Sequence, residues 1–454
     1  MLFRRLETPG LAHHSYVLEC GGGQAVVVDA RRDIGGYLAL AREYELSITH
    51  ILETHRQEDF EYGSASLAAA TGAVIVTGDH PLFGRSDRPL RDGTTLTVGT
   101  TRIVVHATPG HTPESVSYAV YPENSGSTCW GVFTGDALFV GATGRTDLAD
   151  PGKAGENAGV LFDSVHQKLA PLGDQALVFA AHGSGSACGS NIADREDSTL
   201  GLERRTNPVF TLTRADFVRH KKNEHLPRPP YFAHMERVNL EAGRPVPDVA
   251  RIAALQPAAF QKTMRDAVVI DTRSPDAFAS SHLPGSYNIW LEGVPGFAGW
   301  IANERSKLLL VVEAVAQIDT AALSLVRVGI DGTIGFLAGG VPAWRENGLP
   351  VASTGVVSAS EAAAWLDAGR ARVLDVRDDD EWRAGHIGGA MHIYVGDLES
   401  KLPAVDTEER LIVHCSVGHR AGLATSILAR AGFTDVYNML GGMDAWKALG
   451  LPVE

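Results

Sequence analysis

The second half of the chain repeats itself, and that repeat limits the possible folds more than any other feature. Asp271-Thr272-Arg273, His282, Gly285 and Ile289 recur as Asp375-Val376-Arg377, His386, Gly389 and Ile393 at a constant offset of 104 residues. Further on, Leu337-Ala338-Gly339-Gly340-Val341-Pro342-Ala343-Trp344 recurs as Leu440-Gly441-Gly442-Met443-Asp444-Ala445-Trp446, with Gly339 and Gly441 offset by 102. Two copies of one unit of roughly 100 residues therefore lie in tandem. Each copy carries short apolar runs, at 268–270 or 373–374 and at 308–312 or 411–413. Helical stretches such as 320–328 and 421–430 separate or follow them. Strand, crossover helix and strand make parallel α/β units.

The first 200 residues follow a different plan. Apolar runs at 25–28, 51–52, 73–76, 103–105, 132–133 and 177–180 are short and bounded by Gly, Asp or Thr, which predicts strands of a buried sheet covered by helices. Three runs deliver a metal-ligating residue type at their ends. Thr49-His50-Ile51-Leu52-Glu53 leads into Thr54-His55-Arg56-Gln57-Glu58-Asp59-Phe60, and Gly131-Val132-Phe133 leads into Thr134-Gly135-Asp136. The run 102–107 leads into Thr108-Pro109-Gly110-His111-Thr112-Pro113-Glu114-Ser115, which places His111 on a tight turn past a strand end, where α/β proteins build their sites. Prolines in 226–232 and 243–247 interrupt regular structure and are read as a boundary. Three domains result, 1–245 with its linker, 246–355 and 356–454, as 454 residues at ~150 per domain would suggest.

Composition excludes several classes of function. With 40 basic against 54 acidic residues the net charge is −14, which disfavours nucleic acid or an anionic membrane as a partner. The first residues lack an apolar core of signal-peptide length and no apolar run spans a membrane, so the expected location is the cytoplasm. Four cysteines, at 20, 129, 188 and 415, are too few for a disulfide framework and read as thiols. Cys20 and Cys129 are expected at strand ends or in the core, and His13, His14 and His106 in packing roles.

Cys415 is the exception. It follows the run Leu411-Ile412-Val413-His414 and opens the loop Cys415-Ser416-Val417-Gly418-His419-Arg420, after which a helix begins. Loop amides converging at a helix start, together with Arg420, favour a thiolate and hence a nucleophile. This Cys-x-x-Gly-x-Arg loop resembles that of the rhodanese family, and the Asp-x-Arg, His-Ile-Gly-Gly-Ala and Gly-Gly-x-x-Ala-Trp segments stand in their family places. The resemblance implies that Cys415 accepts a sulfane sulfur, that Ser416, Val417, Gly418 and His419 cradle the persulfide, that Arg420 assists, and that a second thiol takes the sulfur. Cysteine phosphatases use a similar cradle, but the six-residue loop is the sulfurtransferase length. In the first copy Val312 stands opposite Cys415 and Gln317 opposite Arg420. Residues 250–355 are therefore expected to pack or dock without transferring sulfur.

The segments around His55, His111, Asp136 and Ala180-Ala181-His182-Gly183 resemble the metallo-β-lactamase superfamily, so the fold class implied is α/β: an αββα sandwich followed by two rhodanese-like parallel-sheet domains. Hydrolases of that superfamily hold two zinc ions with His-x-His-x-Asp-His. Here Gln57 and Phe60 replace the second and last His, removing a ligand from each metal. His55, His111 and Asp136 remain, the two-imidazole, one-carboxylate set that suits non-haem Fe(II) and leaves positions open. The persulfide dioxygenases of the superfamily use that set, and the match extends through Phe133 to Phe139, Gly144-Arg145-Thr146-Asp147-Leu148 and Gly183 to Gly189. The domain order is similar to that of bacterial persulfide dioxygenase–rhodanese fusions.

The resemblance implies one Fe(II) per chain, with a thiol persulfide and O2 as substrates and sulfite and a free thiol as products. Cys415 either feeds persulfide to the iron or joins sulfur to sulfite as thiosulfate. The carrier thiol is open among glutathione, coenzyme A, cysteine or another thiol, and a homo-oligomer is compatible with the sequence. Arg145 is expected at a substrate carboxylate unless its pairing with Asp147 is structural. Cys188 is a candidate auxiliary thiol, His182 a pocket residue, Asp59 a hydrogen-bond partner or a loop cap, and Gln57 a change in the hydrogen bonding behind the ligands. A zinc thioester hydrolase with rhodanese modules and a metal-free sulfur-carrier scaffold are the alternatives.

Overall fold

Along the strand Gln24–Val28 side chains alternate, and both faces are buried. Val26 and Val28 join an inner cluster with Leu52, Val105, Tyr118, Phe133 and Phe179, while Ala25 and Val27 face an outer cluster with Tyr37 and Leu67. Two-residue periodicity with both faces apolar requires a layer on each side. The computed structural model, which describes residues 2–454, supplies those layers.

Residues 2–246 form one compact unit of two six-stranded sheets. The first runs in chain order from Phe3–Thr8 through His13–Glu19, Gln24–Val28, Ser47–Leu52 and Val74–Gly78 to Arg88–Leu90. The second runs from Thr95–Val98 through Thr101–Ala107, Val116–Tyr121, Gly131–Gly135 and Leu177–Ala180 to Ser198–Thr199. The inner cluster lies between the sheets. The helices Gly35–Glu43 and Ser64–Thr71 contribute to the outer cluster of the first sheet, and Ala154–Ser164 and Arg214–Lys222 to that of the second. This is an αββα sandwich. Each fully buried Val, Leu or Phe in it contributes on the order of 1.5–3 kcal/mol.

Two expectations need correcting. Strands Phe3–Thr8, His13–Glu19 and Val116–Tyr121 were not anticipated. Val116–Tyr121 pairs back on Thr101–Ala107 from Ala107↔Val116 onward, so the turn bearing His111 is the corner of an antiparallel pair. The stretch 226–245 is also more than a linker. It contains the helix Phe232–Asn239, with Phe232 and Met235 buried. Tyr231 donates to the Asp59 carbonyl (3.1 Å), and Asn239 Nδ2 to the carbonyls of Gln57 (2.8 Å) and Phe60 (2.9 Å). The prolines mark a crossing over the ligand loop, and the loop's backbone acceptors are satisfied from there.

Residues 247–454 form a second unit with two five-stranded sheets of the same order. In one, Ala253–Leu255, Thr333–Leu337, Leu308–Val311, Val268–Asp271 and Tyr287–Asn288 pair in parallel. In the other, Gly355–Val357, Val436–Met439, Leu411–His414, Arg372–Asp375 and Met391–His392 do the same. The repeated Asp-x-Arg is a brace within each copy. Arg377 bonds Asp375 and the Gly385 carbonyl, as Arg273 bonds Asp271 and the Ser281 carbonyl. Among the described residues no helix is long and apolar enough to cross a membrane.

Candidate metal centre and sulfur-transfer loop

His55, His111 and Asp136 follow the strands Ser47–Leu52, Thr101–Ala107 and Gly131–Gly135, and all three are buried. The backbone at Gly135 has φ +54°, and a Cβ there would stand 2.7 Å from Thr54 Oγ1, so glycine lets the two ligand loops touch. The Thr54 hydroxyl donates to Asp29 Oδ2 (2.8 Å), which leaves its oxygen to accept from His55 Nδ1 (3.0 Å). The amide of Gln57 lies behind the same ring, 3.4 Å from Nδ1. His111 Nδ1 donates to the Arg145 carbonyl (2.8 Å). Both rings are thereby held with a bare Nε2 facing inward.

Asp136 Oδ2 lies 3.4 Å from His111 Nε2 and 3.7 Å from His55 Nε2. Among the described residues none of these three atoms has a hydrogen-bond partner. Three buried acceptors converging without a donor suit a cation, and their types suit a first-row metal. Burial pushes His55 down to about 3, as a neutral ligand needs. Burial works against charge on His111, but Asp136 and then Glu58 outweigh it and raise the ring, so two carboxylates face its Nε2.

His182 Nδ1 bonds Asp136 Oδ1 (2.8 Å) and its Nε2 bonds Asp59 Oδ2 (2.9 Å). A ring between two carboxylates donates from both nitrogens. Although burial opposes the charge, Asp136 and Asp59 hold the imidazolium well above its usual range. Neither nitrogen is left for a metal, and Asp136 is locked with Oδ2 turned toward His55 and His111. Asp59 is thus the partner that orients His182, and buried Phe60 packs on His13 at 3.8 Å between ring centroids. Cys188 is brought within ligand distance of Asp59 and His182, but burial pushes its thiol well above the usual range.

Arg145 does not meet a substrate carboxylate. Its guanidinium is buried, bidentate to Asp147 (2.7 and 2.7 Å), and bonded to the carbonyls of Ala187, Leu226 and Pro227. These bonds use every N–H direction of the fork. The Arg-Asp pair is structural, and it braces the backbone that holds His111.

In the second unit Cys415 follows the strand Leu411–His414 and is almost wholly buried. Its Sγ accepts from Gly418 N–H at 3.1 Å. The loop is aimed by the Gly-Gly segment, whose amides of Gly441, Met443 and Asp444 donate to the carbonyls of Val417, Cys415 and Ser416. With its carbonyls tied outward, the loop turns the Gly418 N–H toward the sulfur, as a cradle for a terminal sulfur anion requires. Val417 and His419 are exposed beside it.

Arg420 is placed by a residue that the sequence reading missed. Glu381 accepts from Arg420 Nη1 (2.5 Å) and Nη2 (2.7 Å) and from the Ser416 hydroxyl (2.6 Å). Despite its burial, Arg420 raises no titration question, since Glu381 holds it firmly charged. The signal was present in the repeat: at offset 104, Glu381 faces Ala277, so carboxylate and guanidinium are lost together in the first copy. The corresponding cleft there, lined by Ala277, Val312, Val315 and Glu313 among others, has about 850 Å³ and no thiol.

An αββα domain with a convergent two-His, one-Asp cluster, followed by two parallel α/β repeats of which one bears a cysteine on a loop before a helix, defines the class. The Rhodanese-like domain family matches residues 256–347 and 358–449. The chain is 33% identical over 91 residues to thiosulfate sulfurtransferase GlpE of Pseudomonas aeruginosa, covering 20% of this chain and 83% of that protein. Over 253 residues it is 26% identical to bovine persulfide dioxygenase ETHE1, mitochondrial, covering 54% of this chain and 91% of the relative. It is also 31% identical over 230 residues to a hydroxyacylglutathione hydrolase of Pseudomonas savastanoi, covering 44% and 82%. A crystal structure of a metallo-β-lactamase from Staphylococcus aureus superposes with a TM-score of 0.67 at 28% identity, over 74% of this chain and 99% of the other. The chain belongs to the rhodanese family through its C-terminal half, joined to an ETHE1-like metallo-β-lactamase domain.

Proposed function

We propose that the chain oxidises low-molecular-weight thiol persulfides to sulfite with dioxygen at one iron, and transfers sulfane sulfur at Cys415. Sulfur metabolism is the activity its relatives of both kinds support. The observation that carries the iron reading is the three convergent bare acceptors of His55, His111 and Asp136, beside a His182 whose nitrogens are spent on carboxylates. The thioester hydrolase reading needs a second metal, and the hydrogen bonds of His182 stand against it.

In the overall reaction a persulfide R–S–SH, O2 and water give R–SH and sulfurous acid. Both atoms of dioxygen go to the outer sulfur, which loses four electrons, and water supplies the third oxygen. An iron held by His55, His111 and Asp136 would supply binding of dioxygen and of the persulfide sulfur in one place. The chain does the rest. Thr54 and the Arg145 carbonyl fix the tautomers of the two imidazoles, His182 keeps Asp136 ionised and turned, and the buried walls exclude water.

At the second site the Cys415 sulfur attacks the outer sulfur of a donor, for example thiosulfate, and sulfite leaves with the bonding pair. The terminal anion lies among loop amides such as that of Gly418. An acceptor thiolate then takes the outer sulfur and Cys415 departs as thiolate. Four unpaired thiols suit the reducing cytoplasm. The test is metal analysis of anaerobically prepared protein with an oxygen electrode: about one iron with uptake on a thiol persulfide supports the reading. Two zinc ions with thioester cleavage would replace it.

A further inference from the structure

We infer that Glu58 is a fourth protein donor to the same ion, so that the centre holds two carboxylates instead of one. The inference rests on the metal reading above. Glu58 is buried at 2% exposure, and among the described residues its Oε2 has no hydrogen-bond partner. That oxygen stands 3.7 Å from His111 Nε2, about as near as Asp136 Oδ2 stands to His55 Nε2, also 3.7 Å. A bare carboxylate oxygen in the interior is strongly unfavourable unless a cation or donor meets it.

The backbone aims this side chain. The carbonyls on either side of it are held, those of Gln57 and Phe60 by Asn239 Nδ2 and that of Asp59 by the Tyr231 hydroxyl. Glu58 therefore reaches the centre from a fixed loop, on the side of His111. Its oxygen is less central than the other three, which form the mutually close set. With Asp136 and Glu58 ionised, a divalent ion is neutralised on site, and oxygen donors favour iron or manganese over softer ions.

The experiment compares wild type with Glu58→Gln and Glu58→Asp as full chains, metal-free and loaded with Fe(II) or Co(II). Chelator competition should show Fe(II) held about tenfold or more weaker in Glu58→Gln, with partial recovery in Glu58→Asp. The visible absorption of bound Co(II) should change. Glu58→Gln should gain less in melting temperature from added Fe(II) than wild type gains. A purely structural residue would lower the metal-free and metal-loaded melts alike, and a cooperative metal-free melt shows that the variant folds. Equal affinity and an unchanged Co(II) spectrum, with wild type binding one ion, would overturn this inference alone. Failure of wild type to bind any ion, or full binding in Asp136→Ala, would overturn the centre and this inference with it.

Discussion

Trp290 of the cysteine-less repeat stacks on His419 of the sulfur loop, with ring centroids 4.8 Å apart and planes at 22°. Asn288 N–H donates to Ser426 Oγ (3.1 Å) on the helix that starts at that loop, and Arg430 of the same helix lies over Tyr287 at 4.1 Å. The first repeat thus holds the helix whose N-terminus forms the cradle. Trp290→Ala should lower kcat/KM for sulfur transfer by about two- to tenfold, the worth of one aromatic pair of ~0.5–1.5 kcal/mol, while Trp290→Phe retains most of it. Steady-state kinetics with thiosulfate and a thiol acceptor checks this, and equal rates in all three proteins would refute it.

Cys415→Ser should abolish transfer with folding intact. Glu381→Gln should leave Cys415 in place but break the bidentate bond to Arg420, at a cost of about 1.5–3 kcal/mol for a charged hydrogen bond. Slower transfer with a lower denaturation midpoint is expected. Wild-type rate and midpoint in Glu381→Gln would remove Glu381 from the machinery.

Metal removal should destabilise the first unit. An ion at a hundredfold excess over its Kd adds about 2.7 kcal/mol, so a chelator should lower the melting temperature, and Asp136→Ala should melt independently of added iron. Calorimetry with and without chelator decides it. A metal-independent wild-type melt counts against the centre.

Glu53 gives a pH dependence. Both its carboxylate oxygens are buried without partners among the described residues, and burial raises the carboxyl from 4.5 to about 8. The folded state keeps a proton that the unfolded chain releases, so this stability is full below about pH 4.5. It falls by ~1.4 kcal/mol per unit as pH rises toward 8, then levels off. In metal-free protein, Glu53→Gln should gain on wild type more at pH 8 than at pH 5. Parallel denaturation curves at both values would contradict it.

Where a residue's place is set by a strand end, the sequence is readable. His55, His111 and Asp136 each follow an apolar run, and Cys415 stands between a strand and a helix start. What escaped was settled by distant contacts. Arg145 looked available because its acceptors lie at 187, 226 and 227, far along the chain. Strand Val116–Tyr121 is buried along almost its whole length and lacks the alternation that marks a half-exposed strand. The helix Phe232–Asn239 was hidden by the prolines around it, although its Phe, Met and Val spacing is helical. Glu381 could have been found by asking what else changed between the copies where Cys415 and Arg420 did.

Ala277 and Val312 line the cleft where the active copy has Glu381 and Cys415, and Gln317 stands opposite Arg420 in the repeat. The three active groups serve one another, so the quiet copy cannot return to activity by single steps. Val312→Cys would set a thiol there without the counterpart of Arg420, and Gln317→Arg would bring a guanidinium without the counterpart of Glu381. Either change alone leaves the set incomplete. Anyone wishing to build a second sulfur carrier into this chain must exchange the three positions as one unit.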